Sequence, residues 1–160
     1  MIPSNTLVIG NMPWRVLMEQ TNRCLVLCEN TYDPTAYNEV KVPADTVWAT
    51  CTLRRYLNND FIANWSEEDC SRLTESILEN PENYVFGTHG GSSTKDRVFL
   101  LSLEEYERFR PALTGIEGWL RTPGSIPCTA AFIEAPSKIR YAGDYIFFKK
   151  NVHPAMWIRV

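Results

Sequence analysis

The chain has 160 residues, 44% hydrophobic and 22% charged, the balance of a single globular domain able to bury roughly 70% of its unfolded surface. Its net charge is −3, and Lys149-Lys150 is the densest basic cluster, so there is no stripe to neutralise phosphates and nucleic acid is excluded as a partner. No apolar run reaches the ~20 residues of a membrane span, and Met1-Ile2-Pro3-Ser4-Asn5 lacks the basic and apolar regions of a leader; the expectation is a soluble chain, cytoplasmic or at a cell surface after processing.

The first third reads as β. Thr6-Leu7-Val8-Ile9 and Trp14-Arg15-Val16-Leu17-Met18 are short apolar runs around a turn-rich Gly10-Asn11-Met12-Pro13. Cys24-Leu25-Val26-Leu27-Cys28 follows, completing a small antiparallel meander. Residues 29–45 contain Asn30, Asp33, Pro34, Asn38 and Pro43 and predict a long loop.

The period then changes. Leu53, Tyr56, Leu57 and Phe61 form one helical stripe, with Thr50 or Thr52 as cap. Ser66 with Glu67-Glu68-Asp69 starts a second helix, a hydroxyl cap followed by acids in the first turn. Cys70, Leu73 and Ile77 supply its apolar face, and Asn80-Pro81 ends it. Tyr84-Val85-Phe86 reads as a short strand, residues 88–94 as a flexible loop and residues 98–101 as a buried strand. Ser102 and Glu105 fit a capping box, which opens a short helix through about Phe109, limited by Pro111.

The last third returns to β. Strands are expected at Trp119-Leu120-Arg121, 129–134, 145–149 and 155–160, with turns at Pro123-Gly124, Ala135-Pro136-Ser137 and Ala142-Gly143-Asp144. The order implies an α+β fold with a mostly antiparallel sheet and two early helices, residues 1–160 forming one domain. The closing strand is expected to pair with the first strands, since chain ends often lie close together.

No catalytic constellation stands out. The five cysteines, 24, 28, 51, 70 and 128, form no Cys-x-x-Cys. Cys24 and Cys28 on one strand face lie about 13 Å apart by strand rise, too far for a disulfide, so the cysteines read as small buried hydrophobes. His89 and His153 sit in no nucleophile motif, and the spacing supplies no zinc set. Asn58-Asn59-Asp60 and the 79–83 stretch carry oxygens of the kind calcium uses, but no EF-hand loop. Gly87 and Gly90-Gly91 suit an anion nest without a phosphate-loop lysine, and the acids offer no way to choose a glycosidase pair. No cofactor or metal is expected. Arg54 and Arg121, set among apolar residues, read as clamps on carboxylates or carbonyls; the alternative places Arg121 with Trp119 in a ligand groove.

Five strings carry a resemblance: Trp14-Arg15-Val16-Leu17; Leu53-Arg54-Arg55-Tyr56-Leu57-Asn58-Asn59-Asp60-Phe61; Asp96-Arg97-Val98-Phe99-Leu100-Leu101-Ser102; Gly118-Trp119-Leu120-Arg121-Thr122-Pro123-Gly124; and Val152-His153-Pro154-Ala155-Met156-Trp157-Ile158. Together they resemble a bacterial family of domains of unknown function whose members read WRVL, LRxWLN, DKVFLLS, WLRSPG and VRPALW at these points. His153 departs from the arginine usual there. More loosely, the layout resembles the C-type-lectin-like fold of formylglycine-generating enzymes and of variable bacterial ligand-binding proteins. The resemblance implies paired terminal strands, two early helices and a loop-rich binding face; the cysteine and metal set of the enzymes has no place in this chain.

The function expected is therefore a non-catalytic binding module for carbohydrate or protein, with Trp48, Trp119 and Arg121 as the face, because aromatic and arginine side chains anchor interfaces. The alternatives are an enzyme related to the lectin-fold oxidases, which needs Cys51, Cys70 or Cys128 exposed near His89 or an acid, and a structural domain of a larger bacterial or phage-like assembly.

Overall fold

Gly10 and Asn11 both take positive φ, 60° and 61°, the two-residue turn whose twist matches the strands it joins. It links β1 (Thr6–Ile9) to β2 (Met12–Glu19), so Met12 and Pro13 belong to the strand and not to the turn. The computed structural model describes residues 5–29, 33–40 and 46–160. Within it β3 (Arg23–Cys28) pairs with β2, and β11 (Ala155–Arg159) closes the other side of β3, with Trp157 opposite Leu25. The sheet order is β1-β2-β3-β11. The meander and the return of the closing strand are thus as the sequence implied.

β4 (Thr35–Ala36) lies inside the stretch predicted as a loop and pairs with β10 (Lys149–Lys150). Asn30 and Pro43, which marked that loop, lie outside the described residues, as do residues 1–4.

The first helix, α1 (Thr52–Asn58), is capped by neither threonine: the Cys51 sulfur accepts from the Arg54 amide at 3.4 Å. Leu53 and Leu57 are buried and Tyr56 is not. The stripe does not continue as one helix to Phe61, because Asn58 diverts to a neighbouring segment. Its Oδ1 accepts from the Arg97 and Val98 amides and its Nδ2 donates to the Val98 carbonyl. Phe61 falls in a separate 3-10 turn at Asp60–Ile62.

The second helix, α2 (Glu67–Arg72), has the predicted cap, Ser66 accepting from the Asp69 amide. It is shorter than its apolar period implied. Leu73 is extended and bridges Ile158, and the Thr74 amide and hydroxyl both donate to the Trp157 carbonyl, so pairing with β11 ends the helix long before Asn80-Pro81. Ile77 lies instead, exposed, in β5 (Ser76–Leu78), which pairs with β6 (Thr94–Asp96).

Residues 84–86 form a turn and not a strand. Buried Asn83 holds it: Oδ1 accepts from the Val85 and Phe86 amides while Nδ2 donates to the Pro123 and Tyr141 carbonyls. Val98 to Leu101 are buried as expected, but only Phe99 makes a ladder contact, an antiparallel bridge to Ala155. Side chains satisfy other backbone groups of this segment, Asn58 at Val98 and Arg121 at Leu100, which meets the requirement that buried peptide groups find partners.

The third helix, α3 (Leu103–Phe109), opens with the predicted capping box, Ser102 Oγ accepting from the Glu105 amide and Glu105 Oε2 from the Ser102 amide, both at 3.1 Å. The last sheet is β7 (Gly118–Pro123), β8 (Thr129–Glu134) and β9 (Lys138–Tyr145). β9 runs straight through Ala142-Gly143-Asp144, where a turn was predicted, and of the strand expected at 145–149 only the ends are strand, Tyr145 in β9 and Lys149 in β10, with a turn between them. The fold is mixed α and β, with short helices and, among the described residues, only antiparallel strand pairs.

His153 lies buried between β10 and β11, its Nδ1 donating to the Cys28 carbonyl at 2.9 Å. Burial pulls its pKa below the ordinary 6.5. The unfolded chain then binds the proton that the folded one refuses, so this contribution to stability is present above about pH 6.5 and is lost as the pH falls below it. Urea titrations from pH 7.5 to 5 should show stability falling, and His153→Gln should flatten the slope; an unchanged slope in the variant would remove His153 as its source.

Candidate functional site

The three residues expected to form a binding face come together, but inside the protein. Trp48, Trp119 and Arg121 are 0%, 3% and 4% exposed. The Trp48 indole N–H donates to Asp96 Oδ2 and that of Trp119 to the Thr35 carbonyl, each at 2.9 Å. Tyr37 stands edge-on to both indoles, and its hydroxyl donates to the Arg121 carbonyl. The exposed face expected of the three is therefore absent: each donor is satisfied internally, and the rings are part of the core.

The clamp reading of the two arginines agrees with the geometry. Arg121 Nη1 and Nη2 donate to the Glu105 carboxylate at 2.8 and 2.9 Å, and the same guanidinium reaches the Leu100 and Glu79 carbonyls and Asn80 Oδ1. Arg54 Nε donates to Asp96 Oδ1 at 2.7 Å. These contacts also engage the Asn80 side chain. Among the described residues no three His, Cys, Asp or Glu side chains gather as a metal site, and no helix is long and apolar enough to cross a membrane.

Cys24, Cys28 and Cys51 are buried, and burial pushes the Cys51 thiol up to about 12. Half-buried Cys70 directs its thiol toward the Trp65 carbonyl. Cys128 and His89 line one hollow of about 300 Å³, with Thr88, Gly91 and Pro123. The Gly91 amide donates to His89 Nδ1, so the neutral ring carries its proton on Nε2.

The surface holds a larger feature that the sequence did not announce. A cleft of about 680 Å³ runs between β4 and α1, with Thr35, Glu39, Thr52, Arg55 and Asn59 on its walls. A second, of about 350 Å³, lies between the β1–β2 turn and the start of α2, with Asn11, Asn64, Trp65 and Asp69 on its walls. Tyr56 and Asp60 line both. Tyr56 is 44% exposed, and its ring lies 6.2 Å from Phe61, which packs against Trp65 and Trp14 in turn. The second cleft is pinned by the Gly10 amide, which donates to Asp69 Oδ2 at 2.9 Å, and Gly10 passes so close to the Trp65 indole that a Cβ has no room.

Such clefts fall within the range of small-molecule sites. They offer amides, carboxylates, a guanidinium and one open aromatic ring. In the sequence Tyr56 registers only as part of an apolar stripe, and Asn59 and Asp60, three and four residues on, only as oxygen-bearing members of Asn58-Asn59-Asp60.

An antiparallel α+β domain with an open groove over its first helix is thus the class of protein that fold and surface define. The chain belongs to the family described as Domain of unknown function (DUF6273), which matches residues 21–118. That span contains α1, α2 and most of the groove. No curated protein and no solved structure matches the chain.

Proposed function

We propose that this domain is a non-catalytic binding module for carbohydrate, its ligand held in the groove over α1. One observation carries the reading: a half-exposed tyrosine ring, Tyr56, and a carboxylate, Asp60, shared by two clefts. An aromatic face accepts the apolar C–H face of a sugar, while carboxylate, amide and guanidinium groups bond its hydroxyls. The C-type-lectin-like arrangement expected from the sequence is part of this reading, and the return of β11 to β3 supports it. The face itself differs from the one expected from the sequence, because Trp48, Trp119 and Arg121 are buried in the core.

Screening on a glycan array should retain the protein on a subset of glycans. Tyr56→Ala should weaken that binding by at least about tenfold, roughly 1.4 kcal/mol, with the protein still folded and its unfolding midpoint little changed, because Tyr56 is 44% exposed. Equal binding by the two proteins, or no retained glycan, would overturn the proposal. The enzymatic alternative has in its favour the hollow shared by Cys128 and His89. Against it, the acceptor nitrogen of the neutral His89 ring, Nδ1, is already taken by the Gly91 amide, so the ring has no free lone pair with which to act as a base.

A further inference from the structure

We infer that the groove takes a linear, uncharged oligosaccharide that crosses Tyr56 from one cleft into the other, an inference that rests on the carbohydrate reading above. Each cleft alone, at about 680 and 350 Å³, is within the size of a complete small-ligand site. They share Tyr56 and Asp60 in their linings, and their combined volume exceeds what a single sugar fills. A ligand that uses both must be a chain, with one unit over the Tyr56 ring and others on either side. The saddle is firm: Phe61 backs Tyr56, and Trp65 backs Phe61 at 5.5 Å. A supported ring loses little freedom on binding, which favours it as an anchor.

Charge decides the class of chain. Glu39 lines the wide cleft, Asp69 the narrower one and Asp60 the saddle, against Arg55 alone as a cation in the described lining. A uronate or sulfate would meet a carboxylate wherever it lay along the groove, and like charges in apposition cost affinity. Neutral sugars meet the same carboxylates as hydrogen-bond acceptors. Asp69 keeps one oxygen for this, since only Oδ2 takes the Gly10 amide.

Isothermal titration with neutral ladders of glucose, mannose and N-acetylglucosamine oligomers, from single sugars to hexasaccharides, tests this directly. Polygalacturonate and a sulfated glycan serve as anionic probes. In at least one neutral ladder, affinity should rise at least about tenfold from disaccharide to hexasaccharide. Glu39→Ala in the wide cleft and Asn64→Ala in the narrower one should each weaken the hexasaccharide, while the disaccharide should respond to only one of them. Affinity that is flat with length, or preference for an anionic chain, would overturn the inference and leave the carbohydrate reading standing. Absence of binding by every probe, on a protein whose unfolding midpoint shows it folded, would overturn both.

Discussion

Glu105→Ala is expected to cost the fold about 3–5 kcal/mol, the range for removing one partner of a buried ion pair. The Arg121 side chain is 3% exposed and that of Glu105 28%, so deletion of the carboxylate leaves the guanidinium in the interior without its counter-charge. The Leu100 and Glu79 carbonyls and Asn80 still accept from it, but none carries a charge. The same carboxylate also accepts the Ser102 amide, so the start of α3 loses half of its capping box, a loss of about 0.5–2 kcal/mol for a cap by itself. The two losses share one side chain and will not add. Glu105→Gln keeps an acceptor for the Ser102 amide and should fall between wild type and alanine. Urea midpoints order the three proteins; a loss below about 1 kcal/mol for alanine would show that solvent screens the pair.

Gly118→Ala should be similarly damaging, at least about 3 kcal/mol, because it combines backbone strain with overpacking. Gly118 has φ 129°, and a Cβ there would penetrate the Asn151 carbonyl oxygen, a backbone atom without freedom to swing aside. The adjacent Trp119 amide donates to that same oxygen at 3.1 Å, so displacing Asn151 breaks the bond that seats β7. Gly115 is the internal control. Its φ is also positive, 81°, but nothing lies within 4 Å of the added carbon, so Gly115→Ala should cost only about 1 kcal/mol of conformational strain. Comparable melting temperatures for the two variants would contradict the steric account.

What the sequence made legible was local. Ser66, and Ser102 with Glu105, announce helix starts because cap and first turn lie within four residues, and the structure has both. The apolar run at Thr6–Ile9 is a strand with those limits. The failures came where distant segments compete for the backbone. Cys70, Leu73 and Ile77 fit a helical period, yet Leu73 is taken by Ile158 and Ile77 ends up exposed. Residues 98–101 look like a ladder strand, yet Asn58 and Arg121 supply several of their partners. The binding face suffered most. Tryptophan content does not say which way an indole points, and Tyr37, which binds Trp48, Trp119 and Arg121 into one interior cluster, carries no sequence signal. The groove draws its walls from β4, α1, the β1–β2 turn and the start of α2, so no window of sequence contains it.

The position of β11 has a consequence for how the protein is made. Its partner β3, Arg-Cys-Leu-Val-Leu-Cys, is synthesised early, while Ala155–Arg159 leaves the ribosome last among these strands. Until β11 emerges, one edge of β3 is therefore unpaired, with residues that are buried in the finished fold open to water. Such an edge is a template for pairing with other nascent chains, and pairing between distant segments is slow to form. Completion of the first sheet thus waits for β11, and the interval before it is when the chain is most in need of a chaperone.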